Sequence, residues 1–432
     1  MGDLLRDCAA LLSGRGEASG VAMATSILER YARLEPASRW RILEALAAGR
    51  FGADRKRLEQ AMARYRERPD AAATMALHKA AEPRRQELLR RLNLAPGGTA
   101  ALVRMREDLL AGAAQPGAAP ELAVVDADFV HLFASWFNRG FLVLRRIDWT
   151  TPAHILEKII RYEAVHQIDS WDDLRARLEP PDRRCFAFFH PALVDEPLIF
   201  VEVALQDAIP DAIAPILAAG RAPIDPAKAT TAVFYSISNC QVGLRGVSFG
   251  NFLIKQVVEE LRREFAALDT FVTLSPVPGF MAWLARARAA RQPGPFGADD
   301  LAALQALESP GWHDDAALRR ALRPALSNAI AYYLLVARDR QGSAADPVAR
   351  FHLGNGARLA RVNWMADTSA KGLAQAAGFM VNYLYALDEI ERNHEAFANH
   401  GEIVTQHAVK RLLRDPAPLL RRRPVGEAAA GA

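Results

Sequence analysis

"AVFYSISNCQVGLRGVSFGNFLIKQVVEELRREF", from Ala232 to Phe265, changes its periodicity twice within one unbroken stretch. The first eight residues are an aromatic and β-branched apolar run that reads as a strand. "CQVGLRGVSFG" is a glycine-containing loop. The remainder is helical, with Leu253, Ile254, Val257, Val258, Leu261 and Phe265 on one apolar face. "TFVTLS", from Thr270, then reads as another strand, so the stretch is a strand-loop-helix-strand unit of an α/β or α+β sheet. The first-turn amides of such a helix have no intrahelical partner, and with the helix dipole they suit a phosphate. Taken alone, Gly243, Gly246 and Gly250 are explained equally well by a sharp turn.

Two compositional regimes flank this unit. From Ala22 to Leu110 the pattern is helical, with Ile27, Tyr31 and Leu34 on one face, Leu58, Met62 and Tyr65 on another, and breaks at Pro36 and Pro69. "AGAAQPGAAPE" (111–121) has linker composition, but "LAVVDADFVHLFASWF" after it is helical again, so the boundary is expected just beyond. This predicts an α+β protein, with a helical-bundle domain over 1–137 and a mixed-sheet domain over 138–432. "FLVLRRI", "RCFAFFH", "PLIFVEVAL", "TAVFYSIS" and "TFVTLS" are the predicted strands of the second domain.

Composition narrows the function classes. The chain has 432 residues, 51% of them hydrophobic and 24% charged, an ordinary globular balance. The formal charge is +4, yet only seven of the 54 basic residues are lysine and they form no long block, so no nucleic-acid partner is expected. Cys8, Cys185 and Cys240 are far apart and have neither CxxC nor His/Cys ligand spacing, which argues against zinc and a disulfide framework. No run of about 18 apolar residues occurs, and the N-terminal stretch reads as neither signal nor transit peptide. A cytoplasmic protein without a membrane partner is the expectation.

Three motifs carry chemistry. Arg245-x-x-Ser248-x-Gly250, at a strand-to-helix joint, resembles the R/Q-x-x-G-x-G/A signature of the GNAT acyltransferase fold, which holds the pyrophosphate of an acyl-CoA, with Ser248 in place of a glycine. "TLSPVPGFMAWL" (273–284) puts Ser275 at a strand end, on the edge where ligands bind in many α/β folds. Taken alone, Ser275 equally caps the helix beginning near Phe280 or turns the chain before Pro276. No G-x-S-x-G elbow surrounds it. "DPVARFHLGNGARLARVNWMADTSAKG" (346–372) holds His352 beside Gly354, Asn355 and Gly356, and histidine moves protons near neutral pH. Nine other histidines compete with it.

Together with "WFNRGFLVLRRIDW", "YEAVH" and "RRCFAFFHP", these stretches resemble the malonyl-CoA decarboxylase family over about residues 120 to 415. The resemblance implies a helical N-terminal domain used in oligomerisation, as a dimer or tetramer, and a GNAT-like acyl-CoA-binding catalytic domain. It implies conversion of malonyl-CoA to acetyl-CoA and CO2 in malonate or fatty acid metabolism, with no metal, biotin or other cofactor. It also implies Ser275 and His352 as catalytic residues. Arg245, Gly246, Val247, Ser248, Phe249, Gly250 and Asn251 are implied as the substrate-binding segment, with Tyr385 near the active site. His352 is then expected to act as an imidazolium donor to an enolate, without an acyl-serine intermediate. An N-acyltransferase, an inactive acyl-CoA-binding regulator and an acyl-CoA hydrolase are the alternatives.

Overall fold

A computed structural model describes residues 2–13, 16–47, 49–117, 119–247, 253–290 and 295–415. Its contacts form two units, one of residues 1–143 with 188–199 and 239–250, the other of 144–187, 200–238 and 251–432.

The first unit is built from helices over Gly2–Leu11, Glu17–Ala32, Pro36–Ala47, Arg55–Glu67, Ala71–Ala81, Arg84–Asn93, Gly98–Ala113 and Leu122–Trp136. Capping residues set several of the starts. The Asp54 and Asp70 carboxylates accept the backbone N–H groups of Arg57 and Ala73, satisfying first-turn donors. Leu43, Leu88, Leu92, Leu102, Val125, Phe129 and Phe133 fill the core, which also encloses an Arg85–Asp128 ion pair. Helix Arg55–Glu67 buries Ala61, whereas Met62 and Tyr65 are each 38% exposed, because this helix packs chiefly on helix Ala71–Ala81.

The second unit carries most of a mixed sheet, in which the five expected strands all form. These are β1 (Val143–Ile147), β2 (Arg183–His190), β3 (Leu193–Gln206), β4 (Thr231–Asn239) and β5 (Thr270–Thr273), followed by the short β6 (Ser275–Pro276). Two strands escape the sequence reading, β7 (Arg358–Asn363) and β8 (Met380–Leu384). The order is β1-β2-β3-β4-β5-β8-β6, with β7 also paired to β8. β7 lies inside the stretch that the sequence marks only by its histidine and glycines.

The β4–β5 pair is parallel and runs from Thr231 opposite Thr270 to Phe234 opposite Thr273, with Leu274 N–H donating to the Phe234 carbonyl at 3.0 Å. Beyond this point β4 continues to Asn239, while the other strand turns to β8 as β6. The sheet therefore opens between β4 and β6.

Helix Pro347–Gly354 is pinned at both ends. Asp346 caps it through Ala349 N–H at 2.8 Å, with Pro347 in the first turn, where its missing N–H costs nothing. Past its end, Gly356 has φ of +83°, and a Cβ there would lie 2.2 Å from the Ile390 carbonyl oxygen. Gly354 has open space around it. Gly356→Ala should thus cost roughly 3 kcal/mol in urea unfolding, combining left-handed strain with overpacking, and Gly354→Ala should change stability by less than about 1 kcal/mol. Equal costs would mean that the turn does not depend on Gly356.

Candidate active site

β8 pairs with β5 and β6 in one register, Val272 opposite Leu384 and Ser275 opposite Val381. The same register sets Thr273 opposite Tyr383. The ladder is regular at Tyr385, whose N–H donates to the Phe271 carbonyl at 2.9 Å. It is broken at the next pair. Tyr383 N–H donates to the Thr273 side-chain Oγ1 at 3.1 Å, and the Thr273 carbonyl accepts the Asn382 Nδ2–H at 2.8 Å instead. Asn382 is itself held by Asn363 Nδ2 at 2.7 Å and Arg361 Nε at 3.0 Å. Side chains thus satisfy the backbone where the sheet opens, as buried polar groups require.

Ser275 follows this break. Its hydroxyl donates to Thr273 Oγ1 at 2.9 Å, and its Oγ lies 3.0 Å from His352 Nε2. The capped helix brings His352 to this point across 77 residues of sequence. The other ring nitrogen, Nδ1, is 2.8 Å from the Tyr385 hydroxyl. Tyr383 stacks on the imidazole at 4.7 Å with an interplanar angle of 25°, and Phe351 meets it edge-on at 5.1 Å. Of the expected site residues, Ser275, His352 and Tyr385 are therefore in one hydrogen-bonded chain. Thr273 and Tyr383 were missed, although the period of two along a strand puts them on the same faces as Ser275 and Tyr385.

The expected imidazolium is corrected by this environment. His352 is only 2% exposed, and burial alone pushes its pKa down to about 3. Desolvation opposes the charged form, and among the described residues nothing anionic touches the ring to offset it. Burial likewise raises the Tyr385 phenol above its ordinary range. Asp346, at the start of the His352 helix, is pushed up to about 6 by burial, with Tyr333 OH donating to it at 3.4 Å.

In the expected substrate-binding segment, Arg245, Gly246 and Val247 are placed, whereas Ser248, Phe249, Gly250 and Asn251 lie outside the described residues. The loop leading into it is held by helix Gly98–Ala113. Arg106 Nη1 donates to the carbonyls of Gly243 and Arg245, both at 2.8 Å, while its Nε pairs with Asp126 at 2.8 Å. Gly243 N–H donates to Glu107 at 3.2 Å, and a Cβ at Gly243 would sit 2.1 Å from the Val103 carbonyl. Gly243 thus serves close packing on a helix. Gly246 is different: φ is +78° and nothing would touch a Cβ there, so the space beside it is open. The sequence offered no signal for Arg106 among so many arginines.

Family models described as malonyl-CoA decarboxylase N-terminal domain and C-terminal domain match residues 51–137 and 140–422. Over 409 residues the chain is 37% identical to "Malonyl-CoA decarboxylase, mitochondrial" of Anser anser anser, covering 88% of this chain and 81% of that protein. The crystal structure of malonyl-CoA decarboxylase from Rhodopseudomonas palustris superimposes with a TM-score of 0.92 at 58% identity, covering 95% of this chain and 99% of that one. The corresponding structure from Agrobacterium vitis gives a TM-score of 0.89 at 56% identity, covering 96% and 100%.

The buried neutral histidine has a measurable linkage. Because the folded pKa of about 3 lies below the ordinary 6.5, the unfolded chain takes up this proton first, and stability is lost as pH falls from 6.5 toward 3. His352→Asn removes the group, so its stability should decline less steeply than wild type between about pH 6 and 4. The difference in slope should be up to about 1.4 kcal/mol per pH unit, read from urea unfolding. Equal slopes would contradict a buried neutral His352.

Proposed function

The chain belongs to the malonyl-CoA decarboxylase family and is a carboxy-lyase that converts malonyl-CoA to acetyl-CoA and CO2, and from that premise we propose how its residues do so. The observation that carries the reading is the 3.0 Å contact between Ser275 Oγ and His352 Nε2 at the opening of the sheet. Malonyl-CoA has a carboxylate β to a thioester carbonyl, so loss of CO2 leaves an enolate with its charge on the thioester oxygen. The protein has to turn the carboxylate out of the carbonyl plane, offer fixed donors to the enolate and protonate the α-carbon.

In this reading Ser275 holds the imidazole in place and swings its hydroxyl to the malonyl carboxylate as substrate displaces the Ser275–His352 bond. The C–C bond breaks, its electron pair becomes the enolate, and that pair takes the Nε2 proton of neutral His352. The Tyr385 hydroxyl supplies a proton at Nδ1, so the ring stays neutral, and uptake of a solvent proton at Nε2 as Nδ1 returns its proton to the Tyr385 oxygen restores both groups. A thioester enolate is basic enough to take a proton from a neutral imidazole, and a neutral histidine is an established electrophile at enolising carbonyls. The open space at Gly246 supports assigning Arg245, Gly246 and Val247, with Ser248, Phe249, Gly250 and Asn251 on sequence grounds, to binding of the CoA part.

The same proposal divides the chain at 137/138 and gives the helical domain a role in homo-oligomerisation, supported by the exposed Met62, Tyr65 and Met75 on adjacent helices. It places the protein in the cytoplasm, in malonate or fatty acid metabolism. Among the described residues no helix is long and apolar enough to cross a membrane.

Mass analysis of malonyl-CoA incubated with the pure protein should show acetyl-CoA, and free CoA as the main product would indicate a hydrolase. Ser275→Ala and His352→Asn should each lower kcat by roughly 100-fold or more, the usual worth of a positioned acid or transition-state hydrogen bond, with CoA affinity little changed. A covalent malonyl or acetyl ester trapped on Ser275 would refute the non-covalent route.

The neutral histidine also sets the pH profile. Because His352 carries no titration between pH 6 and 8, kcat/KM should stay within about threefold across that range. An imidazolium donor would instead make it fall about tenfold per unit above the pKa of the free enzyme.

A further inference from the structure

The directions of the hydrogen bonds through the Ser275–His352 pair differ from those of a nucleophilic serine. In a nucleophilic pair the serine hydroxyl donates to the histidine Nε2, and an acceptor takes the Nδ1 proton. Here the Ser275 hydroxyl has donating geometry to Thr273 Oγ1 at 2.9 Å, an arrangement in which its oxygen accepts from His352 Nε2 at 3.0 Å. At the far side Nδ1 meets the Tyr385 hydroxyl. A phenol is the better donor and an imidazole nitrogen the better acceptor, which assigns the proton to Tyr385. The neutral ring is left with its proton on Nε2.

We infer that Thr273 is the positioning residue that sets this polarity, holding the serine proton away from His352 so that Nε2 keeps the proton required by the substrate. This rests on the decarboxylation reading above and extends it to a residue that touches neither substrate nor the reacting atoms. Three observations carry it. Thr273 is fully buried. Among the described residues, its Oγ1 is the oxygen that receives the Ser275 hydroxyl. That oxygen also accepts the Tyr383 amide, a group that can only donate, because the regular ladder acceptor, the Thr273 carbonyl, is engaged by Asn382. The break in the β5–β8 ladder thus engages one lone pair of the threonine oxygen with the Tyr383 amide, and the serine hydroxyl is in donating geometry to the same oxygen. Without it, the serine hydroxyl has Nε2 as its remaining buried acceptor. The ring would then move its proton to Nδ1 and lose the ability to donate from Nε2.

The test is 15N NMR of histidine-labelled full-length protein, with the His352 signal identified by its disappearance in His352→Asn. The expected wild-type spectrum is that of the Nε2–H tautomer, a readout that does not require decarboxylase activity and so stands or falls separately from it. Thr273→Val, similar in shape but without the hydroxyl, should shift His352 toward the Nδ1–H tautomer. It should lower kcat by at least about tenfold, with KM for malonyl-CoA within about twofold. Thr273→Ser should restore both the tautomer and kcat, which a purely structural role for the methyl group would not. An Nδ1–H tautomer in the wild type overturns the inference even if Thr273→Val fails to fold. An unchanged tautomer and kcat in folded Thr273→Val overturn it as well.

Discussion

Strand β8 is bonded along both edges, and its register is the constraint on which the catalytic region depends. β5 and β6 hold it on one side and β7 on the other, so its side chains cannot change phase. A slip of one residue would turn Tyr383 and Tyr385 to the opposite face of the sheet. The imidazole of His352 would then lose both the ring stacked on it and the hydroxyl at Nδ1. The β7 edge carries a bulge between Leu359 and Arg361, and the β5 edge has a local fault at Thr273 that side chains repair. That repair is also where the hydroxyl chain ends.

Burial then decides the chemistry. A histidine near the surface would titrate close to neutrality, whereas His352 sits among Tyr383, Tyr385 and Phe351 and burial holds its charged form down. Its proton is therefore a fixed feature of a neutral ring and not a charge that comes and goes with pH. The reaction suits such a donor, because the enolate is a strong base that needs a proton at a defined place. Asp346 contributes mechanically, by capping the helix that delivers His352.

The loop before the phosphate-like signature has a different kind of support. Arg106 holds the carbonyls of Gly243 and Arg245, and Gly243 is small because helix Gly98–Ala113 presses against it. The glycines of this loop therefore do separate jobs. One allows packing, and another, Gly246, allows a left-handed turn with open space above it.

The sequence by itself determined the local elements, because strand and helix periodicity are written into neighbouring residues. Five strands follow from short runs of β-branched and aromatic residues, and the amphipathic helix after the loop and the helical first region from a helical period. It also marked Ser275 and His352 as residue types in unusual settings. It did not decide the exposure of Met62 and Tyr65, since a helix pattern does not reveal how many neighbours will cover it. Only the tertiary structure decided that residues 77 apart meet at 3.0 Å, that a broken ladder makes Thr273 an acceptor and that His352 is neutral. Hydrogen-bond direction and ionisation depend on what surrounds a group in space, and those surroundings come from β8 and a capped helix far away in the chain.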